Sequence, residues 1–313
     1  MPHIELPEPD VGVLRRLPIL IEGLKSRVGQ DLLIVDEDGR RAYETDAFTA
    51  YRRVPMLVVL PRTTEEVSKI LKYCHENDVK VIPRGAGTSL CGGSLPTEDA
   101  IVLCISKMNR VIEIDYANRL ARLEAGITNL QITSQVSANG FFYAPDPSSQ
   151  LACTLAGNLA MNSGGAHCLK YGVTTHNVLG VKMVLIDGTV VEIGGSALER
   201  NGYDLLSLVI GSEGQLGVIT EATVKLVPSP EGARPMMIGF RSPEAAGSCV
   251  SAIIAAGIIP VAIEYMDHAA IEVCEAFAGA GYPLDAEALL CLLYTSDAAD
   301  DLLCVDLGGR RII

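Results

Sequence analysis

The chain has 313 residues, about twice the ~150 of an ordinary domain, so one large or two ordinary domains are expected. Its 49% hydrophobic and 20% charged residues exclude a disordered chain, and no run reaches the ~20 apolar residues of a membrane-crossing helix. A formal charge of −13 repels phosphate backbones and anionic lipid heads alike, so nucleic acid is excluded as an expected partner.

The N-terminus, MPHIELPEPD, lacks the basic-then-apolar order of a secretory signal. Nine cysteines without a CxxC pair or Cys/His ligand spacing read as reduced thiols, and the expectation is a cytoplasmic protein with no metal site. In chain order, Val13–Val28 has helical spacing with Pro18 near its start. Met56–Leu60 reads as a strand, and Thr63 with Glu66 forms a capping box that opens a helix running to Glu76. Strands follow at Val79–Pro83, Ile101–Ile105, Val111–Ile114 and Leu120–Glu124. Asn129–Ala138 is a helix capped by Thr128 and stopped by Asn139-Gly140. Val178–Ile186 and Val190–Ile193 flank Asp187-Gly188, whose two residues tolerate the positive φ of a hairpin turn. Gly217–Val227 is a long strand, and the prolines and glycine between Pro228 and Pro235 mark a domain boundary. Strand (Met236–Phe240), helix (Pro243–Ala256), strand (Val261–Met266) and helix (Ala269–Phe277) then give an α+β unit that is only half complete.

The chemistry lies in three glycine clusters. In VKVIPRGAGTSLCGGSLP, a strand ending at Pro83-Arg84 runs into Gly85, Gly87, Gly92 and Gly93, with hydroxyls at Thr88, Ser89 and Ser94. Glycines let backbone N–H groups turn inward and approach a diphosphate, and the hydroxyls add donors. A dinucleotide fingerprint would open a helix here, yet Pro96, Glu98 and Asp99 intervene, and a Walker loop would need a lysine. The alternative is a glycine-rich turn. A second cluster, Gly157–Gly165, follows Pro145-Asp146-Pro147-Ser148-Ser149, and its small residues leave space for a flat group. A third, Gly211–Gly217, leads into the last long strand. Three such loops at strand ends suit one elongated ligand with phosphate and aromatic parts.

In this order, PRGAGTSLCGG, YAPDPSSQLACTLAGNLAMNSGG, HCLKYGVTTHNVLGVKMVLIDG and GSEGQLGVITEATVKL resemble the FAD-binding domain of the vanillyl-alcohol oxidase and p-cresol methylhydroxylase superfamily. Within it the likeness is to the D-2-hydroxyacid dehydrogenase branch that includes the FAD subunit of bacterial glycolate oxidase. The resemblance implies an α+β fold: a two-part FAD-binding domain of the p-cresol methylhydroxylase type, followed by the start of an α/β substrate domain. The implied division is a helical lead-in over 1–50, the FAD-binding domain over 51–230 and the first part of a substrate, or cap, domain over 231–290. By position, Pro83, Arg84, Gly85, Ala86, Gly87, Thr88, Ser89, Gly92, Gly93 and Ser94 are implied as diphosphate contacts. Pro145, Asp146, Ser149, Gly157, Asn158, Gly164, Gly165, Tyr171 and Gly172 are implied as flavin and ribityl contacts, and Gly214, Gly217, Val218 and Ile219 as adenosine contacts. Some members of the superfamily attach flavin through a histidine in the first loop. Arg84–Pro96 contains none, so non-covalent FAD is implied. His167 and His176 read first as packing and hydrogen-bonding residues beside the flavin loops, and second as proton-transfer groups.

The implied activity is oxidation of a small 2-hydroxy acid, such as glycolate or D-lactate, to the 2-oxo acid. Further FAD-type and iron-sulfur subunits are implied as partners, and through them an association with the membrane. The His-rich motifs that supply the base and the carboxylate-binding cations in relatives do not occur in this sequence, so the catalytic residues are expected in a C-terminal region that is missing. After Leu290 the segment CLLYTSDAADDLLCVDLGGRRII resembles a translated sequencing adapter, and residues 291–313 are expected to be a non-native tail on a truncated chain. The alternative is a stand-alone, non-catalytic FAD-binding module of an electron-transfer complex.

Overall fold

The computed structural model describes residues 6–196 and 202–296. The chain divides into two compact units, one of Met1–Ser163 with Val173–Val227, the other of Gly164–Gly172 with Pro228–Ile313. In the first unit, α1 (Val11–Arg15) and α2 (Leu17–Val28) replace the single helix expected there. The break falls at Arg16 because Pro18 has no N–H to bond back to Leu14, and it starts a new helix in its first turn instead.

Next come β1 (Leu33–Ile34), α3 (Glu37–Arg41), β2 (Leu57–Val59), α4 (Thr64–Glu76), β3 (Lys80–Arg84) and β4 (Ala100–Cys104). They form a sheet in the order β1-β2-β4-β3, with β2 and β3 parallel to β4 and β1 antiparallel to β2. Every residue of β4 is buried, which is why AIVLC reads as an unbroken apolar run rather than an alternating one. On α4, Val67, Ile70, Leu71 and Cys74 face the core at helical spacing, together with Leu20 and Leu24 of α2. Burial pushes the Cys74 thiol up to about 12, so it is a neutral core residue. Half of the expected capping box at α4 is displaced. The Thr63 hydroxyl accepts from the Glu66 N–H at 3.2 Å, but the Glu66 carboxylate takes the Arg62 N–H at 2.7 Å.

The second sheet is wholly antiparallel. Its strands are β5 (Val111–Asp115) and β6 (Leu120–Glu124), and, after α5 (Asn129–Val136), β7 (Phe141–Phe142), α6 (Leu155–Met161) and α7 (Cys168–Tyr171), β8 (Val178–Val184) and β9 (Val190–Gly194). After α8 (Leu205–Val209), β10 (Val218–Lys225) enters the centre to give the order β5-β6-β10-β8-β9, and β11 (Val227–Pro228) pairs with β7. Val218, Thr220, Ala222 and Val224 point inward from β10. The outer face carries a chain of ion pairs across four strands, Arg122–Glu221–Lys182–Glu192, at 3.3, 3.2 and 3.1 Å. The Thr128 capping box forms with Gln131 as expected. Of the turn residues Asp187 and Gly188 only Gly188 takes a positive φ, 86°; the Asp187 carboxylate accepts from the Thr189 N–H at 2.8 Å, and the turn closes between Leu185 and Gly188.

The second unit combines α7 with β12 (Gly232–Phe240), α9 (Pro243–Ala255), β13 (Ala262–Asp267), α10 (His268–Ala278) and β14 (Ala288–Ser296). Its antiparallel sheet has the order β12-β14-β13. Side chains alternate along central β14, so Leu290 packs with Ala246 of α9 and Leu289 with Ile271 of α10, on opposite faces. The linker is shorter than expected: β12 already begins at Gly232 and holds Pro235, which an edge strand tolerates because the missing N–H faces outward. The strand also crosses the boundary expected at Leu290. Cys291–Ser296 pair with Met237–Gly232, and Cys291–Leu293 pair on the other side with Glu264–Ala262, so these residues complete the sheet. The remainder of the expected tail, 297–313, lies outside the described residues.

Ending the chain at Leu290 would remove the last six of the nine residues of β14, the strand that joins both edges. Such a chain is expected to lose protease resistance from Pro228 onward while the first unit stays resistant; equal resistance throughout would show that Cys291–Ser296 add nothing. A second prediction concerns Asp99. Burial raises its pKa, but hydrogen bonds from Lys80 at 2.8 Å, the Thr97 hydroxyl at 2.6 Å and the Asp10 N–H at 2.9 Å outweigh this and hold it at about 2, below the ordinary 3.8. A depressed carboxylate stabilises the fold above pH ~4, and that contribution is lost as pH falls toward 2. Asp99→Asn is expected to lower the urea midpoint at pH 7 and to flatten the loss of stability between pH 4 and 2.

Candidate functional site

The site is organised around α6. Thr154 caps this helix, accepting from the Gly157 N–H at 3.3 Å, and Leu155 and Leu159 anchor it in the core. The N–H groups of Leu155 and Ala156 donate to the carbonyls of Ile127 and Ala125 at 2.9 and 2.7 Å. The first turn of α6 is therefore saturated by the protein itself. At the other end, the carbonyls of Leu159 and Ala160 accept from the N–H groups of Gly211 and Glu213 at 2.8 and 2.9 Å, tying the third glycine loop to the helix.

The first glycine loop leaves β3 at Arg84 and passes over Thr154. A side chain on Gly85 would collide with the Thr154 hydroxyl, so only glycine permits this approach. Gly87 has φ 73° and lies against the Arg84 guanidinium. Arg84 is 9% exposed and donates to the Thr45 carbonyl at 2.7 Å. Burial pulls its pKa below the ordinary arginine value, partly countered by the nearby Cys104 and Asp46, and the guanidinium stays cationic at neutral pH. Among the described residues, no protein group accepts from the N–H groups of Ala86, Gly87, Thr88 or Ser89. One buried cation below a row of unspent N–H donors is the donor set an anionic diphosphate requires.

Around this loop lies a cavity of about 290 Å³, lined by Pro83–Cys91, Gly93 and Ser94 from the first loop, Ser149, Thr154 and residues of α6 from the second, and Ser212–Gly214 with Gly217–Ile219 from the third. The three clusters separated in sequence thus converge. Of the expected site residues, Pro83, Arg84, Gly85, Ala86, Gly87, Thr88, Ser89, Gly93, Ser94, Ser149, Gly157, Asn158, Gly214, Gly217, Val218 and Ile219 line this cavity. Gly92, Pro145 and Asp146 do not, and Gly164, Gly165, Tyr171 and Gly172 fall in the second unit. Asn158 lines the cavity but commits its amide N–H to Asn129 at 2.8 Å. His176 receives the Val173 N–H at 3.2 Å, which occupies its Nδ1, and His167 precedes α7 in the second unit.

Sequence reasoning missed Leu90, Cys91, Ile105, Thr154, Ala156, Ala160, Met161, Ser163, Ser212 and Glu213. Thr154 had a visible signal, a capping threonine ahead of the apolar LAGNLAM. Ser212 and Glu213 lie inside the third cluster, where attention to glycine hid them.

The "FAD binding domain" family matches residues 55–194, and the "FAD linked oxidases, C-terminal domain" family matches residues 229–303. The chain is 46% identical over 296 residues to glycolate oxidase subunit GlcD of Escherichia coli strain K12, covering 94% of this chain and 58% of that protein. It is 38% identical over 268 residues to D-lactate dehydrogenase of Archaeoglobus fulgidus, covering 84% of this chain and 60% of the relative. The chain therefore spans little more than half the length of the relatives it matches. Its fold is that of p-cresol methylhydroxylase, with a TM-score of 0.76 at 18% identity over 94% of this chain and 63% of that one.

Gly93 lines the cavity, and a side chain there would meet nothing within 4 Å, so space is available for a substituent that projects into the site. Gly93→Glu is expected to keep the thermal midpoint of the apoprotein and to raise the Kd for FAD at least a hundredfold, since its carboxylate faces the anionic diphosphate. Titration of apoprotein with FAD checks this, and an unchanged Kd would move the diphosphate away from the first loop.

Proposed function

The chain belongs to the FAD-linked oxidases with FAD as its cofactor, and from that premise we propose that it is the FAD-binding part of an enzyme that oxidises a small 2-hydroxy acid, glycolate or D-lactate, to the 2-oxo acid. The observation that carries this reading is the convergence of three glycine clusters on one cavity with unspent N–H donors and a buried cation. When bound, FAD supplies a two-electron acceptor for the hydride on the substrate α-carbon. The N–H groups of Ala86–Ser89 and the Arg84 guanidinium would hold the diphosphate. Gly157 and Ala160 present backbone without bulk along the cavity wall, and Gly214, Gly217, Val218 and Ile219 would bound the adenosine end. Because the first turn of α6 already donates to Ala125, Ile127 and Thr154, it adds no donor of its own, and the first loop carries the phosphate.

The first loop offers no histidine for a covalent link, which supports non-covalent FAD. The base that takes the hydroxyl proton and the cations that hold the substrate carboxylate belong to the part of the C-terminal domain this chain does not span. Iron-sulfur and further FAD-type subunits would receive the electrons. Among the described residues no helix is long and apolar enough to cross a membrane. Attachment to a membrane through those partners, with this chain on the cytoplasmic side, is part of the same proposal.

The purified chain is expected to be yellow, and acid precipitation should leave all flavin in the supernatant. Anaerobic addition of glycolate or D-lactate should not bleach it, because losing the base alone costs ~10² to 10⁴ in rate and losing the orienting cations costs more. A chain extended with an authentic relative's C-terminal sequence should bleach. Flavin retained in the pellet would overturn the non-covalent reading, and rapid bleaching of the 313-residue chain would relocate the base to residues present here.

A further inference from the structure

Two buried asparagines meet at the cavity, Asn158 in its lining and Asn129 behind it. Asn129, 1% exposed, is the first residue of α5, and Asn158, 2% exposed, is in the middle of α6. Their amides are joined head to tail: Asn158 Nδ2 donates to Asn129 Oδ1 at 2.8 Å, and Asn129 Nδ2 donates to the Pro145 carbonyl at 2.6 Å. The direction is forced. A carbonyl can only accept, so Asn129 must turn its NH₂ toward Pro145 and offer its oxygen to the NH₂ of Asn158. The same end of α5 holds the rest of that loop, since the Asn129 N–H donates to the Cys153 carbonyl at 3.1 Å and the Leu130 N–H to the Gln150 carbonyl at 3.0 Å. The segment from Pro145 to Cys153 is thus hung at three points from one helix end, and it carries Ser149 into the cavity. Only one of the three points, the Asn129 side chain, also reaches α6.

We infer that Asn129, with Asn158, is a positioning residue for the FAD site: the amide relay fixes the Pro145–Ser149 segment at a set distance from α6, so that Ser149 and the α6 wall close on the cofactor together. Neither amide reaches the reacting atoms. The relay acts by leaving the loop a single placement, because a buried carbonyl deprived of its donor would draw the segment outward to water. This rests on the FAD reading above.

The test compares Asn129→Ala, Asn158→Ala and the double variant with the unaltered chain. FAD Kd is measured on apoprotein at a temperature where each variant is folded by circular dichroism. Chymotrypsin cleavage after Leu151, which is 77% exposed on the suspended segment, is timed in the apoprotein. Asn129→Ala should raise the FAD Kd at least tenfold and speed cleavage after Leu151 at least tenfold. Asn158→Ala, which leaves the bond to Pro145 in place, should raise Kd about threefold. The double variant should match Asn129→Ala rather than add to it, as expected of residues acting in one chain of bonds. A residue that merely stabilises the fold would lower the melting temperature and leave Kd and the cleavage rate of the folded protein unchanged, and that outcome in either single variant would overturn the proposal. Should Asn129→Ala not fold, Asn158→Ala decides by itself on the same two readings. Failure of the unaltered chain to bind FAD would instead defeat the functional reading, while the cleavage rates would still report on the relay.

Discussion

The placement of α6 is the constraint on which the site depends. Seven residues long, the helix is too short to persist by its own backbone bonds, and it is held from outside. Leu155 and Leu159 are fully buried, each worth about 1.5–3 kcal/mol of apolar burial, and the Thr154 cap adds about 1 kcal/mol. Each glycine cluster then takes its position from this helix. The first packs Gly85 on Thr154, the second includes the helix, and the third hangs from the carbonyls of Leu159 and Ala160. A cavity assembled this way needs no long-range movement to form, because all of its walls refer to one element.

The distribution of hydrogen-bond donors sorts structural from functional glycine-rich backbone. At the start of α6 the N–H groups are consumed internally, so the backbone there has no donor left for a ligand. In the first loop the N–H groups of Ala86–Ser89 are left free beside a buried guanidinium, a costly arrangement unless a polyanion accepts from them. Sequence motifs count glycines alike in both places. Only the partner of each N–H tells them apart.

The second unit makes a similar point about chain length. Its three-stranded sheet is organised by β14, whose Ala288, Leu289 and Leu290 are wholly buried and pack against a helix on each face. The strand does not stop at the boundary expected at Leu290, and neither does the C-terminal family match, which runs to residue 303. Backbone pairing requires only extended conformation and an available edge, and CLLYTS fills the ladder beside β12 and β13.

By itself, the sequence determined the sheets and helices with strong local signals: the apolar run of β4, the caps at Thr63 and Thr128 and the long strand β10, whereas the second glycine cluster, expected at a strand end, begins inside helix α6. It also pointed to a class of ligand, because arginine, glycine and hydroxyl in that order suit a diphosphate, and the resemblance narrowed this to FAD. Local signals failed where two demands met at one residue, as when Pro18 both continued an apolar pattern and broke the hydrogen-bond ladder, or when the turn at Asp187-Gly188 used only one positive φ. Tertiary structure alone decided which residues meet. Residues 85, 154 and 213 lie far apart along the chain, and no spacing rule encodes that Thr154 stands under one loop while α6 suspends another. The same holds for Asn129, an ordinary first-turn residue in the sequence whose partner lies twenty-nine positions away. Hydrogen bonds of that range depend on the relative placement of whole elements, and that placement is fixed by the packed core rather than by any local pattern.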